Sequence, residues 1–142
     1  MKMAQAIAKY VRVSPRKARL LIEAIRGQYV PEAVAFLRFS PQRAARPILK
    51  VVQSAAANAV FLAERDGESI DEDSLKVVQA IVDEGPRLRR VRPRAMGRAY
   101  PIIRPTCHIK VVVEEVPRPQ PSGRRARHAG GGTTPQPPTS PS

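Results

Sequence analysis

A single cysteine, Cys107, stands in a chain of 142 residues. No intrachain disulfide framework is therefore possible, and a reducing compartment suits the sequence. Acids are scarce as well: 12 Asp and Glu face 25 Lys and Arg, giving a formal net charge of +13 and a pI near 11.2. No apolar run approaches the roughly 18 residues of a membrane span. The opening Met1-Lys2-Met3-Ala4-Gln5-Ala6-Ile7 lacks the apolar core of a signal peptide. The expectation is a soluble chain of the cytosol, long enough for one domain.

Catalytic groups are also missing. The two histidines are His108 and His128. Cys107 and His108 are neighbours on an expected strand, so they point to opposite faces and form no nucleophile–base pair. One Cys and two His cannot complete a zinc site. Asp71, Glu72 and Asp73 lack the interleaved ligands and glycine of a calcium loop and read as a solvated turn. The glycines Gly130-Gly131-Gly132 have neither the spacing nor the following helix of a phosphate-cradling loop. The expectation is a protein without catalytic residues, metal or cofactor.

What is abundant is positive charge, unevenly placed. Residues 1–50 carry Lys2, Lys9, Arg12, Arg16, Lys17, Arg19, Arg26, Arg38, Arg43, Arg46 and Lys50 against Glu23 and Glu32. Residues 51–86 are acidic. Arg87, Arg89, Arg90, Arg92, Arg94, Arg98 and Arg104 then follow with no acid among them. Such a partition gives two basic contact surfaces and one free face. A chain this basic sits on a polyanion, and arginine's planar fork matches phosphate and stacks on bases.

The pattern of elements is mixed. Residues 3–13 alternate loosely as a strand. Ser14-Pro15 reads as an N-cap with proline at the first helical position, Ala18, Leu21, Ile22 and Ile25 form an apolar stripe, and Gly27 stops the helix. Pro31 opens a second helix carrying Ala33, Phe36 and Leu37. Ser40-Pro41 opens a third, with Pro47 placed to kink its first turns, a stripe of Ile48, Val52, Ala55, Ala59 and Leu62, and Asp66-Gly67 as its end. Lys76–Val82 and Ile109–Val113 are β-branched strands, the second with Ile109, Val111 and Val113 inward and His108, Lys110 and Glu114 outward.

If Lys76–Arg87 runs as one strand it spans on the order of 36 Å, longer than the ~13–14 Å radius of gyration of such a domain allows. It must leave the globule as an arm. Few large apolar residues lie between Leu88 and Tyr100 to hold its far part, so a partner must order it. From Pro117 the chain turns to Pro, Gly, Ser, Thr and Arg, the composition of a disordered tail, with Arg124-Arg125-Ala126-Arg127 as a basic cluster.

Two stretches carry a family resemblance: Ser14-Pro15-Arg16-Lys17-Ala18-Arg19-Leu20 through Ile25-Arg26-Gly27, and Val82-Asp83-Glu84-Gly85-Pro86 followed by Arg89, Pro93-Arg94-Ala95, Gly97-Arg98, His108-Ile109, Val111 and Val113. In order and spacing the chain resembles the bacterial large-subunit ribosomal protein twenty-two family over roughly residues 4–116. The resemblance implies an α+β fold, with three helices packed on a small three-stranded antiparallel sheet and a long protruding β-hairpin, to which composition adds the disordered C-terminal tail. It implies an RNA-binding domain over residues 1–116 with the hairpin at 76–113 and its tip at 87–98, and composition alone sets off the tail at 117–142. It further implies a structural constituent of the large subunit that binds its RNA, aids early assembly and helps line the nascent-peptide exit tunnel.

Charge and resemblance together give the expected RNA-binding residues: Lys9, Arg12, Ser14, Arg16, Lys17, Arg19, Arg26, Arg87, Arg89, Arg90, Arg92, Arg94, Arg98, Arg104 and His108. The expected tunnel tip is Arg90, Val91, Arg92, Pro93, Arg94, Ala95, Met96 and Gly97, with Gly97 allowing the backbone turn. Implied partners are large-subunit RNA, neighbouring ribosomal proteins and the nascent polypeptide, with no membrane and no homo-oligomer, at a cytoplasmic ribosome. Met96 departs from the family in a place where a basic residue is common, and Cys107 where serine is usual. Pro101 and Pro105 fall in the returning strand, where neither can donate to a ladder. A DNA-binding architectural protein is the main alternative. A membrane-surface protein is weaker, since the tail has no amphipathic helix or lipidation motif.

Overall fold

The helices begin and end where backbone chemistry dictates, with one exception. In a computed structural model that describes residues 3–117, helix α1 spans Pro15–Ile25 with Pro15 in its first turn, and Gly27 follows at φ +79. Ser14 occupies the cap position, but its hydroxyl makes no capping bond, and its carbonyl accepts from Ala18 N–H at 3.1 Å. Helix α2 spans Val30–Phe39 and buries Val30, Ala33 and Leu37, whereas Phe36 lies on its exposed side rather than with the core stripe.

Helix α3 is the exception. It spans Ala45–Arg65, not from Ser40-Pro41. A helix begun at Pro41 would place Pro47 in its second turn, where the missing N–H and the ring clash are costly. Starting at Ala45 puts Pro47 in the first turn, whose N–H groups have no intrahelical partner in any case, and the expected cause of a kink disappears. The far end closes with Glu68 N–H on Ala63 carbonyl at 2.9 Å, Gly67 N–H on Glu64 carbonyl at 3.1 Å and Gly67 at φ +77. This paired arrangement satisfies carbonyls that would otherwise be orphaned. Asp71 accepts from Asp73 N–H in an exposed 3-10 turn, as expected of a solvated turn.

Strands β1 (Met3–Val11), β2 (Leu75–Glu84) and β5 (Cys107–Glu115) form an antiparallel sheet in the order β1-β5-β2. Ala4, Ala6, Val77, Ala80, Val82, Ile109, Val111 and Val113 face the helices and are buried. Strand β1 packs on α3, and the buried residues there include Ala4 and Ala6 of the strand and Ala55, Ala56 and Ala59 of the helix, small side chains that allow a close approach. Glu114 departs from its expected exposed setting, because β5 is the central strand and β1 and β2 flank it, with Met3 and Lys76 opposite. Cys107 is fully buried, more so than a half-buried thiol.

The β2 edge is covered, and the β1 edge is met at one carbonyl. Gly27 N–H reaches Val77 carbonyl at 2.8 Å and Val77 N–H reaches Gln28 carbonyl at 2.9 Å. Arg26 Nη2 donates to Ala80 carbonyl at 2.8 Å, and Arg19 to Val82 carbonyl at 3.4 Å. Across the sheet Asn58 Nδ2 donates to Gln5 carbonyl at 3.0 Å. Unpaired edges invite strand addition from other chains; here the Gly27-Gln28 backbone with the Arg19 and Arg26 side chains occupies the β2 edge, and Asn58 of α3 takes one carbonyl of β1.

The hairpin is not one continuous strand pair. Strand β2 ends at Glu84, and β3 (Leu88–Pro93) and β4 (Ala99–Arg104) form a second, two-stranded sheet that protrudes from the globule. Gly85 pairs with Thr106 and Leu88 with Arg104, so three steps outward match two on return. This one-residue bulge re-aims the arm relative to the sheet. The expected tail and its basic cluster lie outside the described residues, Pro117 apart.

Candidate nucleic-acid interface

The arm's chemistry follows from its register. Arg94 N–H bonds Arg98 carbonyl at 2.8 Å, which fixes the alternation of bonded and non-bonded pairs down the ladder. Pro93 (opposite Ala99) and Pro101 (opposite Val91) both fall at non-bonded positions, where the missing N–H would have pointed outward. Pairing therefore runs unbroken through Pro101 from Arg104 to Ala99, and the prolines blunt the ribbon's edges instead of breaking it.

Side chains alternate between faces. Arg90, Arg92, Arg94, Arg98 and Arg104 share one face with Leu88, Tyr100 and Ile102. The other carries Arg89 among Val91, Pro93, Ala99, Pro101 and Ile103. Every residue from Arg89 to Pro101 is exposed. Among the described residues, Arg87 has a carboxylate partner, Glu84 at 3.3 Å, and none of the other arm arginines does. The guanidinium groups of Arg89, Arg90, Arg92, Arg94, Arg98 and Arg104 therefore stand without local counter-charge. At the tip Gly97 adopts φ +65 as expected, and Met96 adopts φ +60 and is 93% exposed.

Two clefts flank the arm's base. The larger, about 780 Å³, is lined by Arg12, Lys17, Arg43, Arg90 and Arg104 with Ser14, Leu20, Leu88 and Ile103, and by no carboxylate. The smaller, about 390 Å³, gathers Ser14, Arg16, Arg19, Arg87 and Glu84. Around the hinge the structure thus brings together Arg12, Ser14, Arg16, Lys17, Arg19, Arg87, Arg90 and Arg104 of the expected RNA-binding residues. Lys9 is exposed on β1 outside both clefts, and Arg26 is engaged with the β2 edge. Arg89, Arg92, Arg94 and Arg98 lie out along the arm.

His108 sits beside β1. Its Nδ1 accepts from Tyr10 N–H at 3.0 Å, and the two rings meet edge to face at 4.9 Å. Tyr10 holds φ +58 at an irregularity between Ala8 and Val11, so the imidazole steadies a strained turn of the strand. Arg43 lines the larger cleft without belonging to the expected set. Its signal is the basic Ser40-Pro41-Gln42-Arg43 turn, which spacing alone does not bring to α1 and the arm. Burial pushes the Cys107 thiol up from its ordinary range, only partly offset by a backbone hydrogen bond from Val13, and it is no nucleophile. Among the described residues no cluster could hold a metal ion, and no helix is long and apolar enough to cross a membrane.

Comparison with known proteins agrees with this geometry. The family model described as ribosomal protein L22p/L17e matches residues 6–114. The large ribosomal subunit protein uL22 of Desulforamulus reducens is 53% identical over 112 residues, covering 79% of this chain and 95% of that protein. That of Desulfitobacterium hafniense is 52% identical over 115 residues, covering 81% and 96%. The uL22c protein of Thalassiosira pseudonana is 47% identical over 112 residues, covering 79% and 93%. With the three-helix, three-strand globule and its arginine arm, these matches leave one assignment: the chain belongs to the ribosomal protein L22p/L17e family, whose members are structural components of the large ribosomal subunit and not enzymes.

Proposed function

We propose that this protein holds large-subunit ribosomal RNA through its hinge clefts and its arm, aids early assembly of the subunit, and extends its tip to the wall of the nascent-peptide exit tunnel. Its place is the cytoplasmic ribosome. The observation that carries the reading is the set of arm arginines exposed without carboxylate partners. An isolated hairpin of this kind repels itself, and a cage of phosphates supplies the missing charge.

The RNA-binding unit is residues 1–116, with the arm at 76–113 and the tip at 87–98. Arg12, Ser14, Arg16, Lys17, Arg19 and Arg87 anchor the globule beside the hinge, with Lys9, Arg26 and His108 nearby on the strands and helix. Arg89, Arg90, Arg92, Arg94, Arg98 and Arg104 follow RNA along the arm. The tunnel tip, Arg90, Val91, Arg92, Pro93, Arg94, Ala95, Met96 and Gly97, alternates arginines that reach RNA with uncharged residues that would face the passing polypeptide. Neighbouring ribosomal proteins and the nascent chain are the protein partners, and the chain acts as a single copy.

The test is binding of the full chain to large-subunit ribosomal RNA and to duplex DNA over a range of salt. Two results together support the reading. One is strong preference for the RNA. The other is a salt slope that, once 87–98 is deleted, falls by ~0.7–0.9 for every phosphate left without its arginine. Equal affinity for both polyanions would return the DNA-binding alternative.

A further inference from the structure

The cleft at the arm's base has a composition that phosphate binding alone does not explain. Its rim carries Arg12, Lys17, Arg43, Arg90 and Arg104. Its wall includes Leu20, which is 61% exposed, and Ile103, which is 53% exposed, with Leu88 between globule and arm. Cations suit a backbone; apolar side chains left in water among them suit something flat and apolar attached to that backbone. Resting on the RNA-binding reading above, we infer that this cleft receives one unpaired nucleotide extruded from large-subunit ribosomal RNA, with its phosphate among the cations and its base against Leu20 and Ile103.

Three features favour that occupant. A volume of about 780 Å³ lies within the ~300–1,000 Å³ typical of sites for small organic groups. Duplex RNA keeps its base faces stacked inside and offers the cleft phosphates, riboses and base edges, whereas unpaired residues splay their bases into protein pockets and against guanidinium planes. Finally, the arm's two strands are clasped to each other at its base, Thr106 Oγ1 donating to Pro86 carbonyl at 2.6 Å and Gly85 N–H to Thr106 carbonyl at 2.9 Å, so the arm wall of the cleft is a paired ribbon and not a loose loop.

The test compares the full-length chain with a Leu20→Gln/Ile103→Gln variant. Both side chains are exposed and the charge is unchanged, so the melting curve by circular dichroism should match that of the parent. Binding to full-length large-subunit ribosomal RNA should weaken about tenfold with an unaltered salt slope. Base-specific chemical probing should show one unpaired base protected by the parent and released in the variant. A Lys17→Gln/Arg104→Gln variant should lower the salt slope instead. Free nucleoside monophosphates should bind far more weakly than the RNA.

Parental affinity and unchanged base protections in the Leu20→Gln/Ile103→Gln variant would overturn the inference while leaving RNA binding intact. So would free nucleotides binding as tightly as RNA, or a deficit that appears only when other ribosomal proteins are added, which would mark a socket for protein. Failure of the parent itself to bind the RNA would instead overturn the functional reading on which the inference rests.

Discussion

The Thr106 hydroxyl donates to the Pro86 carbonyl at 2.6 Å across the base of the arm. Thr106 is buried, and a Cβ added to Gly85 would lie 2.5 Å from its Oγ1 and 3.3 Å from its backbone. The two strands are thus clasped where the bulge re-aims the ribbon, and Gly85 is required by close approach rather than by a turn.

The clasp predicts non-additive mutations. Thr106→Ala leaves the Pro86 carbonyl short of a donor and should cost about 1 kcal/mol. Gly85→Ala alone should cost more, since its methyl meets a pinned hydroxyl. Combined, they should cost less than the sum of the two, because removing Oγ1 makes room for the methyl. Urea unfolding of the four proteins measures this, and strict additivity would show that the two residues do not interact.

Part of this was legible in the sequence, and for physical reasons. Pro15 and Gly27 constrain the backbone locally, so α1 could be bounded by reading its residues. Ser40-Pro41 is as good a local start signal as Ser14-Pro15, yet α3 begins at Ala45, because Pro47 decides the matter from within the helix. The arm was legible as unpaired arginine. Its bulge was not, since register depends on which residues pair across the ribbon. The larger cleft draws on four separated segments, around Lys17, Arg43, Arg90 and Arg104, and no local pattern announces such a meeting. The same holds for Tyr10 at φ +58, where nothing in the sequence marks a strand about to deform.

Cys107 should resist thiol reagents in the native state, as burial pushes its pKa up. The folded thiol holds its proton to higher pH than the unfolded one, so unfolding releases a proton in the alkaline window. Stability from this residue is therefore complete below the ordinary thiol pKa and declines as pH rises above it, by at most ~1.4 kcal/mol per pH unit. The difference in unfolding free energy between the parent and Cys107→Ala, followed from pH 7 to pH 10, should shrink accordingly. A pH-independent difference would contradict the burial argument.

Met96 holds a left-handed backbone that costs most L residues roughly 1–2 kcal/mol. Met96→Asn, better suited to that region, should slow hydrogen exchange at the Arg94 amide, which bonds Arg98 carbonyl. Gly97→Val, at φ +65, should accelerate it. Equal exchange in all three proteins would mean that the tip does not hold this turn in solution.

The alanine contact between α3 and β1 should be intolerant of size. Ala55 is fully buried opposite a strand whose inward residues are Ala4 and Ala6. Ala55→Leu should cost about 1–3 kcal/mol by overpacking, whereas Ala57→Leu on the exposed side should be nearly neutral. Thermal melts of the pair decide this, and similar losses in both would contradict the packing described.

The most direct test of the central claim is sedimentation of a cell lysate through a sucrose gradient after a high-salt wash, with detection of this protein across the fractions. An arm threaded among phosphates should keep the protein with the large subunit, and deletion of residues 87–98 should release it to lighter fractions. Full-length protein washed to the top of the gradient would contradict an integral role in the subunit.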